Sequence, residues 1–483
     1  MSLEPARAEL LSLLGPDLIL DSAGKRPYET DGLTAIREEP WAVALPRNRE
    51  TVLQILDICH RHQIPLVPRG AGTGLSGGAR PMREGLLLSL ARLNRILEID
   101  LENGVARVEP GVRNLAISEA VAKHGLFYAP DPSSQIACSI GGNVAENAGG
   151  VHCLKYGLTV HNVTGLVYAT LDGTVRTIGG SSVDPFGFDL RALLCGSEGL
   201  LGIVLEVTVK LTPLPASKAV MLGAFHSLAA AGNTVARIIS SGLIPAGLEM
   251  MDKRAIHAAE DFVHAGYPRD AAALLLCELD GTPEEVEADR ERVDACMRSE
   301  GAYRVDVATD PAAQQRLWAG RKAAFPAVGR LAPDYYCMDG TIPRSRLAEV
   351  LETIDRLSGE YNLPVANVFH AGDGNLHPLI LYDANVPGEL ERVEAFGSRI
   401  LSLCVEVGGA VSGEHGVGVE KLGPMCDQFT SAELEQFHRL KAAFDPDGMM
   451  NPGKAIPTLA RCVEAGGMHV HSGEEKFRHL ERF

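Results

Sequence analysis

The 483-residue sequence lacks the main features of exported, membrane-spanning and nucleic-acid-binding proteins. Its ten cysteines are scattered without a Cys-x-x-Cys pair, which argues for a reducing compartment and against an iron–sulfur cluster in this chain. No apolar run approaches the roughly eighteen residues of a membrane span, and charges at Glu4 and Arg7 interrupt any signal-peptide core. The formal net charge of −17 makes nucleic acid a poor partner. We therefore expect a cytoplasmic protein whose contact with a membrane, if any, is peripheral.

The composition is that of a soluble globular protein, with 46% apolar and 22% charged residues. Segment 40–215 is rich in glycine and short β-like runs, and the two prolines within 212–215 mark a break after it. From 219 to 383 strands alternate with amphipathic helices, among them one around 314–330, which predicts an α+β domain with a mainly antiparallel sheet. The predicted domains are an N-terminal helical segment over 1–39, a first domain over 40–215, a second over 216–425, and a C-terminal helical segment over 426–483.

Segment 68–78 is the most informative stretch, with glycine at five of its eleven positions. Uncovered backbone amides of such a run can close around a phosphate. The Gly-x-Gly-x-x-Gly pattern beginning at Gly72 imitates a dinucleotide-binding fingerprint, and the Gly-x-Ser-x-Gly pattern around Ser76 imitates the nucleophile elbow of a hydrolase. Both motifs require a helix after the loop, whereas the apolar run 86–90 indicates a strand. We therefore predict a phosphate-binding loop between two strands.

A second group of polar residues lies in the C-terminal half. Two apolar strands, 365–369 and 376–382, are joined by Ala-Gly-Asp-Gly-Asn, which predicts a hairpin with His370 and His377 at its mouths. Glu414 and His415 follow a predicted helix over 388–407 that ends at two glycines. Two imidazoles and one carboxylate form a common set of three metal ligands that leaves a coordination position open. The alternative is that each His caps a strand end and bonds a carbonyl.

These segments, taken together, resemble the FAD-linked oxidases of the vanillyl-alcohol-oxidase type. The resemblance rests on loop 68–78 and on 130–134, 141–150, 155–157 and 195–203, which follow in the family's order. It implies a two-part FAD-binding domain over 40–215, a substrate and metal domain over 216–425, and a tail over 426–483 that returns to the flavin. Loop 68–78 contains neither His nor Cys, so we expect FAD to be bound non-covalently.

The resemblance also implies which residues contact FAD. They are Pro68, Arg69, Gly70, Ala71, Gly72, Thr73, Gly74, Gly77, Pro130, Asp131, Pro132, Ser133, Gly141, Gly142, Asn143, Asn147, Ala148, Gly149, Gly150, Tyr156, Gly157, Glu198, Gly202, Ile203 and Asn451.

The motifs around the four polar residues resemble those of the flavin-linked D-2-hydroxyacid dehydrogenases. This resemblance implies that His370, His377 and Glu414 bind a divalent metal (Zn, Mn or Fe) and that His415 is the catalytic base. It also implies that Arg321, in a Leu-Trp-x-x-Arg setting, binds the substrate carboxylate. The expected reaction is oxidation of a small 2-hydroxy acid by hydride transfer to the flavin.

The expected substrate is a monocarboxylate. Relatives that oxidise 2-hydroxyglutarate use extra polar residues for its second carboxylate, and here the corresponding places hold Leu379 and the apolar-leaning segment 336–338. We expect glycolate first, D-lactate second and D-2-hydroxyglutarate third. Segments 333–343 and 468–471 resemble the bacterial glycolate oxidases in particular. That resemblance implies two partners, a second flavin-domain-like subunit and an iron–sulfur subunit, and a peripheral position at the inner membrane.

Alternatives from other classes remain at this point. One is a self-sufficient dehydrogenase of the D-lactate type, which needs no partner subunit. Another is a hydrolase that uses Ser76. The third is a catalytically silent flavoprotein scaffold, which the presence of His370, His377, Glu414 and His415 argues against.

Overall fold

The computed structural model of the protein describes residues 3–182, 187–458 and Cys462. Segment 468–471, used above in the resemblance, lies outside the described residues. Among these residues, sheets of four and five strands and one two-stranded pair lie in the N-terminal half, and one large antiparallel sheet lies in the C-terminal half. No helix within the described ranges is long and apolar enough to cross a membrane.

The first sheet carries the glycine-rich loop. Its region contains α1 (Glu4–Leu14), β1 (Leu18–Ile19), α2 (Ser22–Lys25), β2 (Ala42–Ala44), α3 (Arg49–His62), β3 (Leu66–Arg69) and β4 (Leu86–Ser89). The strand order is β1-β2-β4-β3, with β4 parallel to both β2 and β3. Helices α1 and α3 bury apolar faces against it. Helix α3 begins after Asn48, whose side chain accepts a hydrogen bond from the Thr51 amide.

The second sheet is five-stranded and antiparallel, in the order β5-β6-β10-β8-β9. Its region contains β5 (Ile96–Asp100), β6 (Val105–Val108), α4 (Asn114–Val121), β7 (Leu126–Phe127), α5 (Ile140–Glu146), α6 (Cys153–Tyr156), α7 (Thr159–Asn162), β8 (Val163–Ala169), β9 (Val175–Gly179), α8 (Leu190–Leu194), β10 (Ile203–Lys210) and β11 (Thr212–Pro213). Helix α5 begins after Ser139 and ends at Asn147, which adopts φ of 51°. This short helix brings segment 139–147 against the glycine-rich loop.

The large sheet forms the second half of the protein. Its region contains β12 (Ser217–Phe225), α9 (Leu228–Ser240), β13 (Gly247–Asp252), α10 (Lys253–Val263), β14 (Ala273–Gly281), α11 (Pro283–Ser299), β15 (Arg304–Ala308), α12 (Pro311–Lys322), α13 (Ala324–Val328), β16 (Asp334–Cys337), β17 (Gly340–Thr341), α14 (Leu347–Tyr361), β18 (Val365–His370), β19 (Asn375–Leu376), β20 (Pro378–Tyr382), α15 (Glu389–Glu406), α16 (Leu422–Gln428) and α17 (Ser431–Phe444). The order is β15-β12-β14-β13-β18-β19-β17, and β20 pairs with both β16 and β18. Apolar side chains cover both faces of this sheet. Val220 and Met221 are neighbours on β12, so their side chains point to opposite faces, and they belong to two separate core clusters.

Two sequence expectations need correction. The helix expected around 314–330 is two helices, α12 and α13, because Pro326 cannot donate the backbone bond that a continuous helix requires there. At 212–215, where a break was expected, β10 has ended at Lys210 and only the two-residue strand β11 follows, which pairs with β7. Cys426 and Cys462 form a disulfide, although the scattered cysteines suggested only a reducing environment. The other cysteines are free and buried.

Candidate active site

A cavity of about 350 Å³ joins the glycine-rich loop to the histidine cluster of the large sheet. Most of the predicted FAD-contact residues line it, together with three residues of the predicted metal and base set. These residues are Pro68, Arg69, Gly70, Ala71, Gly72, Thr73, Gly74, Pro132, Ser133, Gly141, Gly142, Asn143, Ala148, Glu198, Gly202, Ile203, His377, Glu414 and His415. Segments far apart in the sequence therefore share one continuous wall.

The glycine-rich loop runs from β3 directly to β4, and no helix follows it. The backbone amides of Ala71, Gly72 and Thr73 donate to no acceptor within the described part of the chain. At Gly70 a Cβ atom would lie 2.1 Å from Ser139 Oγ, so only glycine lets the loop approach α5 this closely. These backbone N–H groups lie in the cavity wall with no side chain over them, so they can donate hydrogen bonds to the diphosphate of FAD.

Other predicted FAD-contact residues do not line this cavity. Asp131 binds His152, with Oδ2 2.7 Å from Nδ1, and the Tyr156 hydroxyl donates to Asp280. Asn147 accepts from the Val160 amide. The complete set outside the lining is Gly77, Pro130, Asp131, Asn147, Gly149, Gly150, Tyr156, Gly157 and Asn451. Several of these residues support the wall, and their contact with FAD stays a prediction.

The C-terminal tail returns to the base of the glycine-rich loop, as expected for Asn451. The backbone N–H of Asn451 donates to the Leu66 carbonyl at 2.7 Å. The side-chain Nδ2 of Asn451 donates to the Glu198 carbonyl at 2.6 Å and to the Gly78 carbonyl at 3.2 Å. Lys454 Nζ donates to the same Gly78 carbonyl at 2.8 Å. The tail therefore holds the loop from behind.

The predicted metal ligands converge on one point. Glu414 Oε1 lies 2.9 Å from His377 Nε2 and 3.3 Å from His370 Nε2. The Nδ1 atoms of both rings face acceptors, 2.7 Å from Glu249 Oε1 for His370 and 3.3 Å from Met338 O for His377. If each Nδ1 carried a proton, each Nε2 would be free to coordinate an ion at the point where Glu414 Oε1 lies, which is the arrangement of metal-binding histidines. The donor set fits a divalent metal.

Glu249 is a site residue that sequence reasoning missed. It lies on β13 directly opposite His370 of β18, and its carboxylate is fully buried. Its Oε2 accepts from Arg321 Nε at 2.8 Å and lies 2.7 Å from Arg321 Nη2. Burial alone would raise the pKa of Glu249, but the charges of His370 and Arg321 bring it below its ordinary value. A glutamate flanked by Leu248 and Met250 was the signal available in the sequence.

His415 lies beside the metal ligands. Its ring stacks on that of His377, with centroids 5.0 Å apart and planes 5° apart, and its Nε2 lies 4.0 Å from Glu414 Oε1. Its Nδ1 is buried and has no hydrogen-bond partner in the structure. Burial is the main cause that lowers the pKa of His415, to about 4, so the ring is neutral near pH 7 and can accept a proton.

A buried ion pair fixes the loop that carries Glu414 and His415. The Asp339 carboxylate accepts a hydrogen bond from Ser412 Oγ at 2.7 Å. It also accepts hydrogen bonds from three consecutive backbone amides, those of residues 413–415, at 2.9–3.1 Å. Lys421 Nζ lies 2.7 Å from the same carboxylate, and both side chains are fully buried. Neither residue was predicted. Asp339 and Lys421 are positioning residues that keep the loop rigid.

Ser76 does not have the surroundings of a hydrolase nucleophile. The side chain is fully buried, and its Oγ donates to the carbonyl of His415 at 2.9 Å. Its own carbonyl accepts from the amides of Val419 and Glu420. Ser76 therefore ties the glycine-rich loop to the segment after His415.

Comparison with known proteins identifies the family. Residues 40–179 match the FAD binding domain, and residues 214–455 match the C-terminal domain of FAD linked oxidases. The chain belongs to the FAD-linked oxidases. It is 62% identical over 457 residues to the glycolate oxidase subunit GlcD of Escherichia coli, covering 95% of this chain and 92% of the relative. The Bacillus subtilis protein of the same name is 40% identical, covering 95% and 98%.

Further similarities support the fold. A D-lactate dehydrogenase of Archaeoglobus fulgidus is 34% identical over 89% of this chain and 95% of its own length. The solved structure of p-cresol methylhydroxylase superposes with a TM-score of 0.80 at 18% identity, covering 95% of this chain and 97% of the other. A 4-ethylphenol oxidase from Gulosibacter chungangensis gives 0.79 at 19%, covering 95% and 98%. The predicted two-domain fold of the vanillyl-alcohol-oxidase type is confirmed, and the chain is an FAD-dependent oxidoreductase.

Proposed function

We propose that the chain oxidises glycolate to glyoxylate, with FAD as the immediate electron acceptor. The observation that carries this proposal is the continuous cavity, with the glycine-rich loop at one end and His377, Glu414 and His415 at the other. FAD held by the glycine-rich loop at one end of this cavity would supply the acceptor for the hydride that leaves the α-carbon of the acid. The relatives named as glycolate oxidase subunits support the choice of glycolate.

The chain's own residues perform the proton transfer and hold the substrate. A divalent metal held by His370, His377 and Glu414 would supply a Lewis acid at the substrate's 2-hydroxyl. We assign removal of the hydroxyl proton to His415 Nε2, the ring nitrogen that lies 4.0 Å from Glu414. Arg321 faces Glu249 with Nε and Nη2, which leaves the Nη1 edge of its guanidinium for the substrate carboxylate.

The surroundings of the histidine cluster favour a monocarboxylate. Phe325 lines the cavity and packs edge-to-face against His377, with ring centroids 6.4 Å apart. Leu379 is fully buried and lies opposite Cys337 in the pairing of β20 with β16. These side chains offer no hydrogen bond to a second carboxylate, and an unpaired buried carboxylate is costly. A dicarboxylic acid is therefore a poor substrate.

D-Lactate is the second candidate, because some relatives carry the name D-lactate dehydrogenase. Glycolate and D-lactate differ by one methyl group, which an apolar pocket distinguishes by only about 1–3 kcal/mol.

The test is the relative kcat/KM of the FAD-loaded protein for glycolate, D-lactate and D-2-hydroxyglutarate with a dye acceptor. We expect glycolate to be the best substrate and the dicarboxylate the poorest. Preference for D-2-hydroxyglutarate would refute the argument from Phe325 and Leu379.

We also propose that electrons leave the flavin through partner subunits, one resembling the flavin domain and one carrying an iron–sulfur cluster, at the inner membrane. Within the described residues, no group suited to hold a metal contains more than one cysteine, and we therefore assign the iron–sulfur cluster of this proposal to a partner. The purified chain should reduce dichlorophenolindophenol, react slowly with oxygen and co-purify with a cysteine-rich protein. Rapid peroxide production by the isolated chain would contradict this assembly.

A further inference from the structure

A second and larger cavity, of about 1030 Å³, shares Glu414 with the first cavity and is lined by no residue of the glycine-rich loop. Its outer end is lined by Asn233, Arg237 and Ser240, which are exposed residues of α9. Its inner end is lined by Asn375 and Glu414. Because Glu414 also lines the first cavity, this larger cavity connects the protein surface to the predicted metal ligands.

Asn375 is a polar side chain at the inner end of the cavity. It is 5% exposed, and its buried Oδ1 accepts no hydrogen bond from the described residues. The absence of a side chain at residue 413 gives it space, because a Cβ on Gly413 would lie 2.4 Å from Asn375 Oδ1. An unsatisfied buried amide costs about 1–3 kcal/mol, and a ligand that pairs with it removes that cost. The side chain is therefore suited to receive a ligand from the cavity.

The charges along the wall do not by themselves select an anion. Arg237 and Arg344 bring positive charge, whereas Glu300 and Asp373 bring negative charge. The cavity is also much larger than a small hydroxy acid. We therefore expect recognition at the inner end, where Asn375 and Glu414 line the cavity.

We propose that this cavity is the route by which the hydroxy acid reaches the active site, and that Asn375 binds the acid at its inner end. A carboxamide can donate through Nδ2 to a carboxylate oxygen and accept through Oδ1 from a hydroxyl group. These two groups are adjacent in a 2-hydroxy acid, and a carboxamide lying beside the metal ligands can contact both. The inference rests on the proposed function and adds an entry path and a substrate-binding residue to it.

The entry path is tested by narrowing the cavity far from the chemistry. Ala236 lines the cavity on α9, and Ala236→Trp would fill part of it. Ala229→Trp is the matched control, because Ala229 lies on the same helix outside the lining. We expect Ala236→Trp to slow flavin reduction at low glycolate by about tenfold, equivalent to about 1.4 kcal/mol of added barrier, while Ala229→Trp keeps the wild-type rate.

FAD content and the rate of reduction by dithionite serve as folding controls. If Ala236→Trp fails to fold, Asn233→Trp narrows the same cavity from an exposed position. Wild-type rates in a folded variant that carries the tryptophan would overturn the entry path. If glycolate, D-lactate and D-2-hydroxyglutarate all leave the wild-type flavin oxidised, the proposed function and this inference both fail.

The role of Asn375 is tested by Asn375→Leu, which keeps the branch at Cγ and removes the amide. We expect the apparent Kd for glycolate in single-turnover flavin reduction to rise about tenfold to a hundredfold, the usual effect of losing a hydrogen bond to a charged group. Metal content and the limiting reduction rate should change much less. A variant that loses metal but binds glycolate normally would show a purely structural role and overturn the assignment.

Discussion

Glu249→Gln tests how the large sheet prepares His370 for metal binding. The wild-type carboxylate is an acceptor on both sides, 2.7 Å from His370 Nδ1 and 2.8 Å from Arg321 Nε. A glutamine side chain has one acceptor oxygen and one donor NH₂ group. In either orientation of the glutamine amide, His370 Nδ1 or Arg321 Nε faces the NH₂ group instead of an oxygen. The substitution therefore breaks one of the two contacts while preserving the shape of the side chain.

The magnitude follows from which contact is lost. If the amide oxygen stays with His370, Arg321 is left as a buried charge without its partner, which costs about 3–5 kcal/mol of folding free energy. If the oxygen turns to Arg321, His370 loses the acceptor that orients its ring, and such losses lower metal affinity about 10–100-fold. We expect both effects in part, because the two orientations compete.

The assay is metal retention against a competing chelator, measured alongside chemical unfolding. Glu278→Gln is the matched control: Glu278 is a buried carboxylate on β14 of the same sheet, and it binds Trp318 and His152 without contacting His370. Both variants should lose stability, but only Glu249→Gln should release metal more readily. Equal metal retention in the two variants would refute the role assigned to Glu249.

Three further substitutions separate the roles within the site. His415→Ala should keep FAD and metal while flavin reduction by glycolate falls by about two to four powers of ten, so a wild-type single-turnover rate would remove it as the base. His377→Ala should lose metal and keep FAD, and metal content by elemental analysis decides this. Lys421→Met should lower the unfolding free energy by about 3–5 kcal/mol because it leaves the buried charge of Asp339 without its cation, and an unchanged denaturant midpoint would contradict the buried pair.

Local sequence patterns were sufficient to predict the strands on either side of the two loops that define the site. The apolar runs on both sides of 68–78 predicted β3 and β4, and the structure has these strands with no helix between them. The Gly-Asp-Gly turn predicted the hairpin that brings His370 and His377 together. In both cases the information lies within a short segment, because turn chemistry and strand periodicity are local properties.

Residues that act across the sheet could not be predicted in the same way. Glu249 reaches His370 only because β13 and β18 are neighbours in the sheet, and the sequence does not state that pairing. Asp339 and Lys421 likewise meet through the tertiary fold. The disulfide joins cysteines separated by 36 residues, with no short spacing to reveal it. By contrast, Pro326 was a local signal that the predicted helix over 314–330 overlooked.

The measurement closest to the central claim is anaerobic single-turnover mixing of the FAD- and metal-loaded protein with glycolate, followed by the visible absorbance of the flavin. We predict complete bleaching of the flavin, slower with glycolate deuterated at the α-carbon, because the bond to that hydrogen breaks in the observed step. A flavin that stays oxidised with glycolate and with D-lactate would contradict the account.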